Sequence, residues 1–206
     1  MKEIKLIGIS GSLRSASFNT AVLKAMLGNL PTSVSARIED IGSLPLYNED
    51  LDNAHQPETV RALRASVASA DGIVFCSPEY NGGVPGGLKN AIDWLSRPMH
   101  GSVIRGKHAL MISASPSVVG GARMQAQLRC DLSACEVRVL ARPKVVVGQV
   151  HTKVTDDVYS DEATLAFAGK AVADLVMEIR VHLAGLAALG MGSSNTTSAS
   201  AAHSMR

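Results

Sequence analysis

Ile4-Lys5-Leu6-Ile7-Gly8-Ile9-Ser10-Gly11-Ser12-Leu13-Arg14-Ser15-Ala16-Ser17-Phe18-Asn19-Thr20 decides how this 206-residue chain is read. Ile4 to Ile9 is a short apolar run of the kind that forms a buried strand. Phe18 to Leu30 has helical character and is stopped by Pro31. Between them lies a loop built of Gly, Ser and Asn. A strand that passes through such a loop into a helix is the opening of an alternating α/β chain.

The same alternation continues outward from it. Val34 to Ile38 reads as a second strand, Ile41 to Gln56 as a long loop rich in Gly, Pro, Asn and Asp, and Pro57 to Ala70 as a helix with proline at its favoured first position. Gly72 to Cys76 carries no charge, which places it centrally as a third strand. Ser77 to Pro85 is a turn-rich loop, and Gly86 to Ser96 is a helix. His108 to Ser113 is a fourth strand, followed by a Gly-rich loop, Ala114 to Gly121, and a helix from about Ala122 to Cys135. Val137 to Leu140 and Lys144 to Val147 form a fifth strand interrupted around Pro143, and Asp161 to Leu183 is the last helix.

Apolar strands that alternate with helices imply a parallel sheet covered on both faces. With right-handed crossovers, five strands fit a flavodoxin-like, doubly wound five-stranded parallel sheet of order 2-1-3-4-5. Residues 1–183 are expected to form this single domain. Residues 184–206, mostly Ala, Ser, Gly and Thr, are expected to be a disordered tail, because they cannot bury enough apolar surface to offset ordering. In such a sheet ligands sit beyond the carboxyl ends of the strands. The loops after strands one, three and four are therefore where chemistry is expected.

Composition narrows the partners. The formal net charge is +2 with no basic stripe, which argues against nucleic acid. Small acidic electron carriers lie on the other side of neutrality, so the balance suits anionic small substrates better. Cys76, Cys130 and Cys135 make no C-x-x-C pair, which fits a reducing, cytoplasmic setting. No apolar run approaches the ~18 residues of a membrane span, and no leader is expected ahead of the first strand. The six His residues have no ligand spacing, so no metal site is expected.

The loop after the first strand has the chemistry of a phosphate site. A helix start offers unpaired N–H groups and partial positive charge. Ser10, Ser12, Ser17, Asn19 and Thr20 add neutral donors, and Arg14 adds a cation. A Walker loop would need Gly-Lys-Ser or Gly-Lys-Thr, and a dinucleotide fingerprint would need a third glycine; neither is present. Ordinary helix capping also uses Ser and Asn. Four serines within residues 10–17, however, exceed what capping needs.

Ser77 to Trp94 is the most specific stretch. Two prolines stiffen a Glu-Tyr-Asn-Gly-Gly turn, and its glycines let backbone approach a flat ligand. Tyr80 can pack near a ring. Trp94 reads as a core anchor or a subunit contact, with the first favoured.

These loops carry a resemblance. Gly11-Ser12-Leu13-Arg14, with Ser17 and Asn19, and Pro78-Glu79-Tyr80-Asn81, followed by Val84-Pro85-Gly86-Gly87-Leu88-Lys89-Asn90-Ala91-Ile92-Asp93-Trp94, resemble the NADPH-dependent FMN reductase family. Within it the chain is most similar to bacterial quinone and chromate reductases. The similarity runs from about Lys5 to Arg180. A Gly120-Gly121-Ala122-Arg123 run also fits, although Ser117 stands where the family has glycine after Pro116.

The resemblance implies FMN as cofactor, with NADPH or NADH as co-substrate. It implies that Ser10, Ser12, Arg14, Ser17, Phe18, Asn19 and Thr20 hold the phosphate and ribityl chain. Pro78, Glu79, Tyr80, Asn81 and Gly82 then line the ring, and Ser115 closes the other side. No protein side chain is expected to be catalytic, because flavin N5 carries the chemistry in a ping-pong exchange with a small-molecule oxidant. Arg14, with Lys89 or Arg97, is expected to attract the NADPH phosphates or an anionic oxidant. A homodimer or homotetramer is implied, with Arg123 and Arg129 either meeting acids across a subunit boundary or solvated. The competing readings are a flavodoxin-type electron carrier and a flavin-free scaffold. Against the carrier stand the charge balance and the lack of a second aromatic beside Tyr80 to sandwich the ring. The acceptor is left open among quinone, chromate, azo compounds and free FMN.

Overall fold

The computed structural model describes residues 2–141 and 143–191. The strands β1 (Ile4–Ser10), β2 (Val34–Glu39), β3 (Gly72–Ser77), β4 (His108–Ala114) and β5 (Arg138–Val139) form a parallel sheet of order β2-β1-β3-β4-β5, as expected. The interrupted fifth strand is two pieces. β5 pairs with the start of β4, while β6 (Val145–Val147) pairs with its end, and Pro143 lies in the break between them. Proline cannot donate to a ladder, so a break there costs little at a sheet edge.

Helices α1 (Phe18–Leu27) and α5 (Glu162–Ala188) cover one face of the sheet. There Leu6, Val74, Cys76, Leu110 and Ile112 meet Val22, Leu23, Val172 and Leu175. Helices α2 (Glu58–Ser69), α3 (Gly86–Leu95) and α4 (Ala122–Ala134) cover the other face, where Ile7, Ile9, Ile73, Phe75 and Met111 meet Leu63, Val67, Leu88, Ile92, Met124 and Leu128. Neighbouring residues such as Leu6 and Ile7 point to opposite cores. This period-two division is why the central strands are apolar throughout.

Two helix ends differ from the expectation. α1 stops at Leu27, capped by Gly28, rather than at Leu30. α5 runs on to Ala188, past Leu183, because Ala184-Gly185-Leu186-Ala187-Ala188 is mostly strong helix former despite its tail-like composition. The expected tail from residue 192 onward lies outside the described residues. An unforeseen hairpin, β7 (Val154–Thr155) with β8 (Val158–Tyr159), turns through Asp156 and Asp157 at φ 47° and 60°. Aspartate tolerates that left-handed conformation, but Asp-Asp lacks the Asn-Gly signature that announces such turns. The hairpin delivers Asp161, which caps α5 by accepting from Thr164 N–H at 3.0 Å and pairs with Lys153.

At the opposite end of the sheet from the site loops, His108 is buried beside His182 of α5, their ring centroids 5.2 Å apart. Burial, with the nearby His182 and Arg138, pushes the His108 pKa down to about 4. In the unfolded chain it titrates near ~6.5. The unfolded state therefore binds more protons between those values, and stability falls as pH drops from 6.5 toward 4. Chemical denaturation at stepped pH is expected to show a loss of roughly 2–3 kcal/mol across that window from this group. His108→Gln should flatten that slope, and an unchanged slope would refute the assignment.

Candidate functional site

The loops after β1, β3 and β4 converge at the carboxyl edge of the sheet. Gly11 is where the first two touch. Its N–H donates to Cys76 O at 2.9 Å, and a Cβ there would lie 2.1 Å from Ser77 Oγ. Only glycine permits so close an approach.

Several predicted site residues build the first loop. Ser17 is the N-cap of α1, its Oγ accepting from Thr20 N–H at 3.2 Å. Thr20 Oγ1 donates to Ser10 Oγ at 2.8 Å, and Ser10 Oγ contacts Ser12 O and Ser12 N–H at 3.3 Å. Asn19 is buried and bridges to β4. Its Nδ2 donates to Ala114 O at 3.0 Å, and its Oδ1 accepts from Ala114 N–H at 3.1 Å. The Asn19 side chain thus latches α1 to the end of β4, where a ligand contact was expected. Both ends of the amide are spent on the backbone.

What is left facing outward is a row of donors. Among the described residues, the N–H groups of Leu13, Arg14, Ser15 and Ala16 meet no protein acceptor, and neither do the Ser12 and Ser15 hydroxyls. The Arg14 guanidinium lies 4.8 Å from the centroid of the Phe18 ring. A cleft of about 380 Å³ borders the loop, lined by Ser12, Arg14, Ser15 and Lys24 on one side and by Glu39 and Asp40 on the other.

The second loop is a tight hairpin. Tyr80 and Gly83 exchange both backbone hydrogen bonds, at 3.1 and 2.9 Å, around Asn81 (φ 51°) and Gly82 (φ 79°). Asn-Gly is the preferred pair for such a two-residue turn. Tyr80 is left half-exposed at its base. Glu79 departs from the expectation. Its carboxylate takes the N–H groups of Arg123 and Met124, at 3.0 and 3.3 Å, and the Arg123 guanidinium at 2.6 Å. Burial alone would raise its pKa, but Arg123 and the two backbone donors outweigh it and hold the carboxyl below its ordinary range. The side chain caps α4 because an anion is favoured at a helix N-terminus, and only the Glu79 backbone remains for a ring.

The third loop is pinned to the sheet edge. Ser115 N–H donates to Val147 O at 3.0 Å, and Ser115 Oγ accepts from Ser117 N–H at 3.1 Å. Gly120 and Gly121, at φ 62° and 86°, lead into α4. Ser117, in place of the glycine of the resembled family, forms a local turn by accepting from Val119 N–H at 3.2 Å.

Other singled-out side chains have clear surroundings. Trp94 is a core anchor, its Nε1 donating to Pro45 O at 2.8 Å. Arg123 pairs with Glu79 within the chain, and Arg129 donates to Leu140 O at 3.2 Å. Lys89 pairs with Asp93 at 2.7 Å. Cys76 is fully buried and its thiol pKa is pushed up by that burial, which leaves it inert. No group of three metal-ligating side chains occurs among the described residues. Sequence reasoning missed two glutamines. Gln125 is buried and donates to Ser113 Oγ and Val145 O at 3.0 and 2.7 Å, and Gln127 accepts from Val84 N–H at 2.7 Å. No local motif marks either one.

Residues 4–152 match the family described as NADPH-dependent FMN reductase. The chain belongs to that family. The match contains all three site loops and ends just before the β7–β8 hairpin. Among curated relatives, the NAD(P)H-dependent FMN reductase of Pseudomonas aeruginosa is 43% identical over 146 residues, covering 71% of this chain and 78% of that protein. A quinone reductase of Escherichia coli is 39% identical over 155 residues, covering 74% and 82%. Among solved structures, the flavoenzyme NAD(P)H:(acceptor) oxidoreductase of Paracoccus denitrificans superposes with a TM-score of 0.77 at 33% identity, covering 87% of this chain and 98% of that one.

Proposed function

We propose that the chain binds FMN and uses NAD(P)H to reduce a quinone-type acceptor. The carrying observation is the row of unpartnered N–H groups from Leu13 to Ala16, ahead of the N-terminus of α1 and on the same carboxyl edge of the sheet as the Tyr80 hairpin. The donor set fits the cofactor. Neutral donors and one nearby guanidinium suit a phosphate monoester, and the half-exposed Tyr80 with the flexible Gly82 suits a flat ring.

When bound, FMN supplies a two-electron relay from nicotinamide to acceptor. The chain's own residues bind and orient. The loop at residues 12–17 holds the phosphate, and the hairpin at residues 78–82 presents backbone groups to the ring edge. Ser115 closes the far side. No side chain is needed as nucleophile or general acid, and the inert Cys76 agrees with that.

The mouth of the site favours an apolar acceptor. Leu13, Leu46, Tyr80, Val118 and Val119, one or two from each of the four loops at this edge, are all exposed. A planar quinone can pack on such a rim; chromate would look to cations such as Arg14 and Lys24. We read the enzyme as a cytoplasmic homodimer or homotetramer, which light scattering on the purified protein checks. No described helix is long and apolar enough to cross a membrane.

Stopped-flow absorbance tests the reading. NADPH or NADH alone should bleach the bound flavin, and added benzoquinone should restore it. Absence of bleaching by either nucleotide would refute the reductase, and bleaching too slow for turnover would favour an electron carrier.

A further inference from the structure

The ring-lining hairpin is fastened to α4 at both ends. At its start the Glu79 carboxylate grips the first turn of α4. At its end Val84 N–H donates to Gln127 Oε1 at 2.7 Å, one turn further along the same helix. Between these anchors, and among the described residues, the turn makes its own two backbone hydrogen bonds and no others. The Gln127 amide also fills the space above Gly83, where a Cβ would lie 2.2 Å from its Oε1.

We infer that Gln127 is a positioning residue for this enzyme. It holds the Tyr80–Gly83 hairpin in place at the ring edge and so sets the room beside Tyr80 that an acceptor can use. The inference rests on the reading that residues 78–82 line the ring. Gln127 itself is exposed on α4 and is not among the residues assigned to the cofactor. Without the anchor, the hairpin keeps its turn but is free to rock about Glu79. Binding of acceptor then suffers more than the chemical step.

Three variants separate this role from general stability. Gln127→Met keeps the length and removes the acceptor atom. Gln127→Glu keeps an oxygen for Val84 N–H. Gly83→Ala leaves Gln127 in place but displaces its amide, since the atom in the way is the free end of a flexible side chain and Gly83 has no left-handed φ to forbid alanine.

In the Met and Ala variants, the acceptor KM should rise about five- to tenfold with kcat changed less than about twofold, the scale of one lost hydrogen bond. Hydrogen exchange at the Val84 amide should quicken by a similar factor with or without FMN. Gln127→Glu should restore both. The double variant Gly83→Ala/Gln127→Met should be no worse than either single one, because both remove the same contact.

Additive losses, or Met and Ala variants with unchanged KM and unchanged exchange, overturn the proposal. Gly82→Val supplies the remaining arm, since valine at φ 79° distorts the hairpin whatever holds it. If Gly82→Val alters the flavin spectrum and KM while the Gln127 and Gly83 variants do not, only the clamp falls. If Gly82→Val alters neither, the placement of the hairpin on the ring is wrong and the clamp falls with it.

Discussion

Ser17→Asp should fold normally and purify almost free of flavin. Ser17 caps α1 through one side-chain oxygen, and aspartate caps as well as serine. The Thr20 N–H at 3.2 Å keeps its acceptor, so helix stability is retained. What changes is the charge. Ser17 is buried at the base of the donor row, and a carboxylate there faces a phosphate that is close to dianionic. Two negative charges against one, a few ångströms apart, repel by several kcal/mol even with an effective dielectric near ~20. A loss of more than about 100-fold in FMN affinity is expected after allowance for screening. Fluorescence titration of the flavin-free protein measures it, with circular dichroism to confirm the fold. Ser17→Asp protein that retains FMN at wild-type affinity would remove the phosphate from this loop.

That prediction exposes what the sequence could and could not tell. The fold was legible because the central strands are short, mostly apolar and bounded by turn residues, and because the helices between them are about the right length to cross a parallel sheet. The broken fifth strand was legible from Pro143. The β7–β8 hairpin was not, since Asp156-Asp157 enters the left-handed region without a glycine to announce it. In the site, the types of residue were legible but the direction of their side chains was not. Ser10, Ser17, Asn19 and Thr20 look like four phosphate donors in the sequence. In the structure their side chains bond one another and the backbone, which leaves the N–H groups of Leu13 to Ala16 and the Ser12 and Ser15 hydroxyls without a protein partner among the described residues. Glu79 looks like a ring contact and is an α4 cap. Both cases have one cause. A polar side chain removed from water takes the nearest free group, and for Asn19 and Glu79 those groups, at Ala114 and at Arg123 and Met124, lie far away in sequence. Gln125 and Gln127 carry no local signal either, because their partners, Val145 and Val84, are remote in sequence.

The contact between the first two loops makes the second large effect. Gly11→Ala would put a Cβ 2.1 Å from Ser77 Oγ and 2.6 Å from Ser77 Cβ. Neither atom can yield cheaply. Ser77 is fully buried at the end of a central strand, and its Oγ donates to Pro78 O at 3.0 Å. The loops must part, which breaks the Gly11 N–H bond to Cys76 O as well. Overpacking of this kind costs about 3 kcal/mol, which lowers the melting temperature of a chain of this size by roughly 10 °C. The functional loss should exceed the loss of stability. Gly11 sets the distance between the phosphate loop and the ring hairpin, so FMN that fits one end no longer meets the other. Ser77→Gly supplies the control. It deletes both atoms in the way, and the double variant Gly11→Ala/Ser77→Gly should recover most of the melting temperature and of the FMN affinity. Calorimetry on flavin-free protein, followed by FMN titration, reads both quantities. A Gly11→Ala protein with wild-type stability and affinity would show that the two loops are not held at that separation. Rescue of stability without rescue of affinity would place the ring away from the Ser77–Pro78 corner.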